Sequence, residues 1–181
     1  MRALLLVPVS LLAACAVNQT HRVGEITARP NVALKKSSQS IGLKLSDGVK
    51  DAWVSPRENG VGPLEVTAWT TSLSAAFATA FADAFTIKNG DSDLVLDIQD
   101  AELKLVPGAV DANGYVVSGA AQVRFKAQLL DRTGKQVAVT AGTSKSKTTC
   151  SAMDCAPSVA ISAVESMYEA IAQDLFVNPK T

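Results

Sequence analysis

Residues 117–130, VSGAAQVRFKAQLL, form the longest regular pattern in the sequence. Small and apolar residues occupy the odd positions, whereas polar or charged residues occupy the even positions from Gln122 to Gln128. Because side chains on a β-strand point alternately to opposite faces, this period of two predicts a strand with one apolar and one polar face. The fold is therefore expected to be built around this strand, with its apolar face covered.

The segments around this strand predict a sheet of three neighbouring strands. Asp131–Gly134 has the composition of a tight hairpin turn, and Val137, Val139 and Ala141 follow it as a returning strand. A second turn over Val110–Gly114 joins the central strand to the strand that precedes it. Strands linked by such short turns pair in antiparallel orientation.

In the preceding strand, the apolar side chains switch from even to odd positions halfway along. Apolar residues lie on even positions over Leu94–Ile98 and on odd positions over Ala101–Leu105. Since facing repeats every two residues, the change requires a β-bulge near Gln99 and Asp100.

Two segments repeat apolar residues every three or four positions, as the buried face of a helix does. The first segment, with Thr71 or Ser72 as its expected N-cap, contains Leu73, Phe77, Phe81 and Phe85, with Ala76, Ala80 and Ala84 beside them. The second, with Pro157 in its first turn, contains Ile161, Val164, Tyr168, Ile171 and Leu175. A phenylalanine stripe also suits a lipid-binding groove, but packing against the sheet is the interpretation we favour.

Shorter strands are expected earlier, over Ile41–Leu45, Ala52–Val54 and Leu64–Ala68. A helix lies between the first strand and the later ones, which favours a parallel pairing there. Together the elements predict an α/β (α+β) domain over residues 39–178. We expect a two-layer sandwich: a mixed, mostly antiparallel sheet with two helices on one face.

The N-terminus has the pattern of a removable targeting segment. Arg2 precedes a short apolar run, which is about half of the roughly 20 residues that a membrane-spanning helix needs. Residues 1–14 are therefore predicted to be a signal peptide. Leu12-Ala-Ala-Cys15 resembles the lipobox of bacterial lipoproteins, in which the cysteine receives a diacylglyceryl group on sulfur and, after cleavage, an acyl chain such as palmitoyl on nitrogen. The alternatives are an ordinary signal peptide with a chance cysteine, or a buried N-terminal helix.

The lipobox resemblance implies an anchored protein. Residues 15–38 contain Pro30 and the polar stretch Lys35–Ser38, and they are expected to form a lipidated N-terminus followed by a flexible tether. The residue after the cysteine is Ala16, and lipoproteins with a residue other than Asp there resemble outer-membrane passengers. The expected location is the periplasmic side of the cell outer membrane.

Cys150 and Cys155 are the two remaining cysteines. In an oxidising periplasm such a pair predicts a disulfide, which would stabilise the domain by about 2 kcal/mol through loop closure. The C-x4-C spacing differs from that of redox-active C-x-x-C sites. The single histidine, His21, lies in the expected tether, and we predict neither a metal site nor a cofactor.

The charges argue against some partners and suggest others. The chain has 17 basic and 17 acidic residues, whereas a nucleic-acid-binding protein usually carries a clear basic excess. A possible anionic-ligand face contains Arg124 and Lys126, together with Lys44 and Lys104. A solvated face is the simpler interpretation of these cations. The same holds for an acidic group at Asp97, Asp100 and Glu102, which is favoured as a solvated strand face over a Ca²⁺ or acid–base site.

Trp53 and Trp69 flank the irregular segment before the first helix. Tryptophan is frequent among the energetically dominant residues of protein interfaces, so both are candidate partner contacts if they are exposed. Burial in the core is the competing interpretation for both.

The order of these features resembles the YajG-type lipoproteins, a family of small Gram-negative outer-membrane proteins. The resemblance includes the lipobox, the strand at Leu43–Asp47, SPRENGVGPLEV at residues 55–66, DRTGK at 131–135 and the final helix. More distantly, the layout is similar to lipopolysaccharide-assembly lipoproteins and to auxiliary lipoproteins of lipid ABC transporters. These resemblances imply an envelope protein. An enzyme is not expected, because no histidine lies within the predicted domain to act as the base for a nucleophile.

The expected function is therefore that of a non-catalytic accessory or interaction protein in outer-membrane assembly, maintenance or transport. Its expected partners are the membrane, through the lipid anchor, and an envelope protein. The alternative is a binding module for an anionic lipid, lipopolysaccharide or glycan on the polar sheet face. The sequence does not determine the oligomeric state.

Overall fold

The computed structural model describes residues 20–58, 61–114, 116–150 and 155–179. The predicted signal peptide and Cys15 lie outside these ranges. The strands are β1 His21–Val23, β2 Ser40–Leu45, β3 Trp53–Ser55, β4 Leu64–Val66, β5 Thr86–Ile87, β6 Leu94–Val110, β7 Val116–Asp131 and β8 Gln136–Lys145. The helices are α1 Trp69–Phe81 and α2 Ala156–Ala172, the latter continuing into a π-helical turn at Gln173–Val177. No helix within the described ranges is long and apolar enough to cross a bilayer.

A five-stranded sheet in the order β5-β2-β6-β7-β8 forms one layer. The pairs β6–β7 and β7–β8 are antiparallel, as the short turns predicted. The β2–β6 pair is parallel because the chain crosses over through α1 between them. The two-layer α+β fold with a mixed sheet is thus confirmed.

The predicted bulge is present in β6, where the register with β7 shifts between Ile98 and Asp100. It keeps Leu96 and Ile98 on the same face as Leu103, and all three are buried. A further register shift between Leu129 and Leu130 leaves Val137 of β8 without a partner in β7, and Ala138 and Thr140 of β8 lie in the buried layer. Val137, which marked this strand in the sequence, is instead exposed.

The two helices cover the apolar face of the sheet. Phe81 contacts the rings of Phe77, Phe85, Tyr168 and Phe176 at centroid distances of 5.3–6.3 Å. The buried Tyr168 hydroxyl donates a hydrogen bond of 2.7 Å to the Leu73 carbonyl and so joins α2 to α1. The phenylalanine stripe is therefore core, as favoured from the sequence.

Helix α1 begins earlier and ends earlier than the sequence predicted. The expected N-cap at Thr71 or Ser72 is wrong, since the helix starts at Trp69 after Ala68, whose φ of 54° is left-handed. The side chain of Asp51, from another segment, accepts the Thr70 N–H at 3.0 Å and so supplies the cap. Hydrogen bonds from Thr70 lower the pKa of Asp51.

The segment before β2 is part of the domain. β1 pairs in parallel with β4, and β4 pairs with β3, in a second, three-stranded sheet. The chain then crosses both helices: the Ile26 N–H donates to Ser72 Oγ of α1, and the Arg29 N–H donates to Glu165 Oε1 of α2, both at 3.0 Å. We call residues 21–36 the strap.

The strap differs from the flexible tether expected over residues 15–38. Val23, Ile26 and Ala28 are buried, and Val32 and Leu34 pack against the same core. Apolar residues occupy every even position over 26–34, and polar residues occupy the odd positions 27, 29 and 31, which is the period of an extended segment with one buried side. The expectation gave weight to Pro30 and the lysines and missed this alternation.

Cys150 and Cys155 are joined by the expected disulfide. Cys150 also exchanges two backbone hydrogen bonds with Gly119 of β7, at 2.7 and 2.9 Å. The disulfide therefore connects the start of α2 to a segment that is paired with the sheet.

Candidate functional site

The face of the five-stranded sheet opposite the helices is polar. Pairing places Glu102 beside Arg124 and Asp97 beside Gln128, with their side chains on this face. The candidates Lys44, Lys104, Arg124 and Lys126 also belong to it, on β2, β6 and β7. The alternation in residues 117–130 therefore predicted the two faces of the sheet correctly. We call this side the open face.

Carboxylates neutralise most of the cationic candidates. Arg124 Nη2 lies 2.9 Å from Glu102 Oε2 and 3.1 Å from Asp100 Oδ2. Lys104 Nζ lies 3.9 Å from oxygens of both Glu58 and Glu102. These pairs make this part of the open face a mixed-charge surface rather than a basic patch, which weakens its attraction for an anionic ligand.

Lys44 differs because its partner is buried. Asp97 is 2% exposed, and its carboxylate accepts hydrogen bonds from Ser46 at 2.7 Å, Gln128 at 2.9 Å and Lys44 at 3.4 Å. Burial by itself raises the pKa of Asp97, but these hydrogen bonds and the charge of Lys44 outweigh it, so the pKa is lowered. Asp97 is thus a charged centre that joins three strands through its neighbours.

Lys126 is exposed, and no carboxylate within the described ranges lies at ion-pair distance from it. The four cations singled out from the sequence therefore share a face but do not form one site.

The two tryptophans have different environments. Trp69 is fully buried, and its Nε1 donates a hydrogen bond of 2.8 Å to the Ala101 carbonyl. Its candidacy as a partner contact is wrong, because a side chain beneath the sheet cannot reach a partner. Trp53 is half-buried and meets Trp69 edge to face, with ring centroids 5.8 Å apart.

Trp53 and Arg124, which the sequence assigned to different candidate sites, line the same cleft. The cleft has a volume of about 230 Å³ and is lined by Gly48, Lys50, Trp53, Asp100, Ala101, Glu102 and Arg124. We call it the Trp53 cleft. Its Trp53 Nε1 is buried and has no hydrogen-bond acceptor among the described residues. A buried donor of this kind favours an arriving acceptor group.

The β6 bulge and the connection after β2 create the Trp53 cleft. The Ser46 N–H donates to the Ile98 carbonyl at 3.0 Å, which holds this connection on the bulge. A Cβ at Gly48 would lie 2.3 Å from the Gln99 carbonyl oxygen, so only glycine fits this close approach. Gly48 and Lys50 were not candidates, although the change of facing in β6 did indicate irregular backbone here.

The Trp53 cleft can supply two groups to a ligand: the planar guanidinium cation of Arg124 and the Nε1–H donor of the Trp53 ring. Two carboxylates orient the guanidinium of Arg124, while the ammonium of Lys50 belongs to an exposed residue at the rim. The cleft is smaller than most small-molecule sites, which measure roughly 300–1,000 Å³. Its size suits one side chain or terminal group of a larger partner. No group of three or more His, Cys, Asp or Glu residues in the described part of the chain could hold a metal ion.

Comparison with solved structures finds several similar chains. The chain is similar to protein XCC0632 from Xanthomonas campestris, of the DUF330 family, with 19% identity and a TM-score of 0.54 over 85% of this chain and 92% of that one. A minor lipoprotein from Acinetobacter baumannii matches with 14% identity and a TM-score of 0.47, over 81% of this chain and 98% of that one. The uncharacterized lipoprotein B from Nitrosomonas europaea matches with 11% identity and a TM-score of 0.43, over 77% of this chain and 85% of that one. No protein-family model and no curated protein matches the sequence.

Proposed function

We propose that the protein is a lipid-anchored envelope protein that engages a protein partner through the Trp53 cleft. The role is that of a non-catalytic accessory protein in outer-membrane assembly, maintenance or transport. The observation that carries this proposal is the convergence of Trp53, with its unpaired buried Nε1, and the oriented Arg124 in one cleft. Trp and Arg are the residue types most enriched among interface positions that dominate binding energy.

The anchor supports the envelope location. A short apolar run ends at Cys15 in a lipobox-like sequence, and two or three acyl chains hold a protein at a membrane where a single chain does so only marginally. Ala16 after the cysteine favours the outer membrane, with the domain on the periplasmic side. The YajG-type resemblance points to the same compartment, and the shared fold of XCC0632 adds support for the domain but not for its role.

The alternative is a binding module for an anionic lipid, lipopolysaccharide or glycan on the open face. The ion pairs of Arg124 and Lys104 count against it, since a phosphate would have to compete with carboxylates that are already in place. Lys126 remains available to such a ligand. We therefore favour the protein partner and keep the alternative as an outcome of the experiment on the cleft.

The anchor is tested by Cys15→Ser. The variant is expected to leave the membrane fraction or to accumulate as an uncleaved precursor, because the modified sulfur is removed. Wild-type protein, labelled with radioactive palmitate, serves as the control. Normal processing and membrane retention of the variant would contradict the anchor.

The cleft is tested by photocrosslinking in intact cells. A photoreactive amino acid at Lys50, on the rim of the cleft, is expected to give an adduct with one envelope protein, identified by mass spectrometry. The matched control carries the same group at Lys135, an exposed position in the β7–β8 turn.

Loss of the adduct on combining the Lys50 probe with Arg124→Glu would assign it to the cleft. Equal protein adducts at both positions, or no protein adduct at Lys50, would contradict the proposed partner. Adducts with lipid or glycan alone would favour the alternative.

A further inference from the structure

We propose that the domain stands end-on at the membrane, with the two-stranded arm of β6 and β7 against the phospholipid surface. The arm consists of residues 106–110 and 116–120. This inference rests on the proposed lipidation of Cys15 and goes beyond it, since an anchor by itself does not orient a domain. It follows from three observations. These are the point where the chain leaves the domain, the short length of the segment from Cys15 to His21, which we call the leash, and the residues that lie at that end of the domain.

The leash is short because the strap belongs to the domain. The His21 N–H donates a hydrogen bond of 2.8 Å to the Pro63 carbonyl, and only five residues lie between Cys15 and His21, which makes six steps from one Cα to the next. Six extended steps span roughly 20 Å. A tether reaching to residue 38 would have been about four times as long and would have left the domain free to turn.

The leash joins the domain at the end that carries the arm. His21 lies opposite Leu64 in the β1–β4 pair, so the β3–β4 connection before Leu64 is at the same end. That connection packs on β6, because a shallow groove there is lined by Ser55, Pro56, Glu58, Val61, Gly62, Leu64, Lys104 and Leu105. The arm begins at the next residue of β6.

Beyond the sheet, the arm strands pair chiefly with each other. β2 pairs with β6 only as far as Ile98, and β8 pairs with β7 only from Gln122. Gly119 is the exception within the described residues, through its bridge to Cys150. The arm therefore projects as a ribbon whose base is held by the disulfide-linked segment.

The composition of the arm fits an apolar boundary. From Leu105 to Val123 the sequence has one charged residue, Asp111. Val110 is 57% exposed, and Gly108 and Ala109 beside it are exposed too. The opposite end of the sheet has a charged turn, where Arg132 is ion-paired with Asp91.

The length of the leash excludes the inverted orientation. Ala121, opposite Leu105, is ten residues from Asp131 along β7, which corresponds to about 33 Å at strand spacing. If the Asp131 end touched the membrane, a leash of roughly 20 Å could not reach the surface from His21. Two orientations remain: one places the arm on the lipid, and the other places the open face on it. Because the arm is uncharged and the open face is charged, the orientation with the arm on the lipid is favoured.

The test uses the lipidated protein reconstituted in phospholipid vesicles. Val110→Cys, labelled with bimane, is expected to lose emission when the vesicles contain lipids with a nitroxide on the acyl chain. The matched control is bimane on Lys135→Cys, in the turn at the other end, which should keep its emission. Cys15 is acylated and Cys150 and Cys155 are paired, so the introduced thiol is the one that is labelled.

Quenching at 135 equal to that at 110, or no quenching at 110, would overturn the orientation. A third outcome would also overturn it. If nitroxide lipids do not quench the bimane at 110, and added outer-membrane protein alone protects it from aqueous iodide, the arm contacts a protein instead of lipid. Radioactive palmitate on the same samples reports the anchor separately. An acylated protein with an unquenched arm therefore refutes the orientation alone, and an unacylated protein refutes the proposed anchor.

Discussion

The two faces of the five-stranded sheet use the same strands and are stabilised by different interactions. On the helix side, Leu96, Leu103 and Val123 are fully buried in the same core as an aromatic cluster centred on Phe81. On the open face, side chains from the same strands form ion pairs and hydrogen bonds with one another. Burial of apolar area stabilises far more than exposed ion pairs do, so the helix side holds the fold together. The open face is thereby free to carry an interaction site.

The largest expected effect separates the helix side from the open face. Phe81→Ala should lower the free energy of unfolding by about 3–5 kcal/mol, because it removes the ring at the centre of four aromatic contacts and leaves a cavity. Urea unfolding of the Cys15→Ser protein measures it. The control is Lys126→Ala on the open face, expected to stay within about 0.5 kcal/mol of the parent. Similar decreases in the free energy of unfolding in both variants would contradict the conclusion that the helix side stabilises the fold more than the open face does.

Asp97 tests whether the open face contributes to stability at all. Asp97→Ala leaves the polar groups of Ser46 and Gln128 without their acceptor, and it should cost about 1–3 kcal/mol. Urea unfolding at neutral pH measures this loss. An effect within the error of the Lys126→Ala control would mean that the Asp97 hydrogen bonds add nothing to the fold.

The effect of Asp97 should also depend on pH. Its pKa in the folded protein is lowered, so its contribution is present above the unfolded value of about 3.9 and is lost as the pH falls through the folded value. The stability difference between parent and Asp97→Ala should therefore be constant near neutral pH and shrink below about pH 4. Unfolding curves of both proteins from pH 7 to pH 3 measure it. A difference that grows on acidification would contradict the lowered pKa.

The smallest expected effect is on Arg124. Arg124→Gln breaks two exposed ion pairs, which should change the free energy of unfolding by about 0–1 kcal/mol. The same variant should lose the crosslinked adduct of the Lys50 probe, because the oriented guanidinium is gone. If the variant is stable and keeps its adduct, the result would contradict binding of the proposed partner at the Trp53 cleft.

Local patterns predicted the layers, and the candidate site depends on features that are not local. The alternation around Val123 and the change of facing near Gln99 were enough to predict the sheet, its bulge and its two faces, since both follow from the period of a strand. The start of α1 was missed because its cap, Asp51, comes from a distant segment. The Trp53 cleft was missed for the same reason: Trp53 and Arg124 line one cleft only because the chain crosses the bulge at Gly48.

The strap sets the order in which the domain can be completed. Its hydrogen bond from Arg29 is accepted by Glu165, 136 residues later in the chain. An emerging chain therefore cannot close the N-terminal segment over the helices until α2 is available, whatever forms earlier. Contacts of such long sequence separation are among the slowest to form. Until residue 165 is available, the Arg29 N–H lacks this acceptor, so the strap is among the last parts of the domain to close.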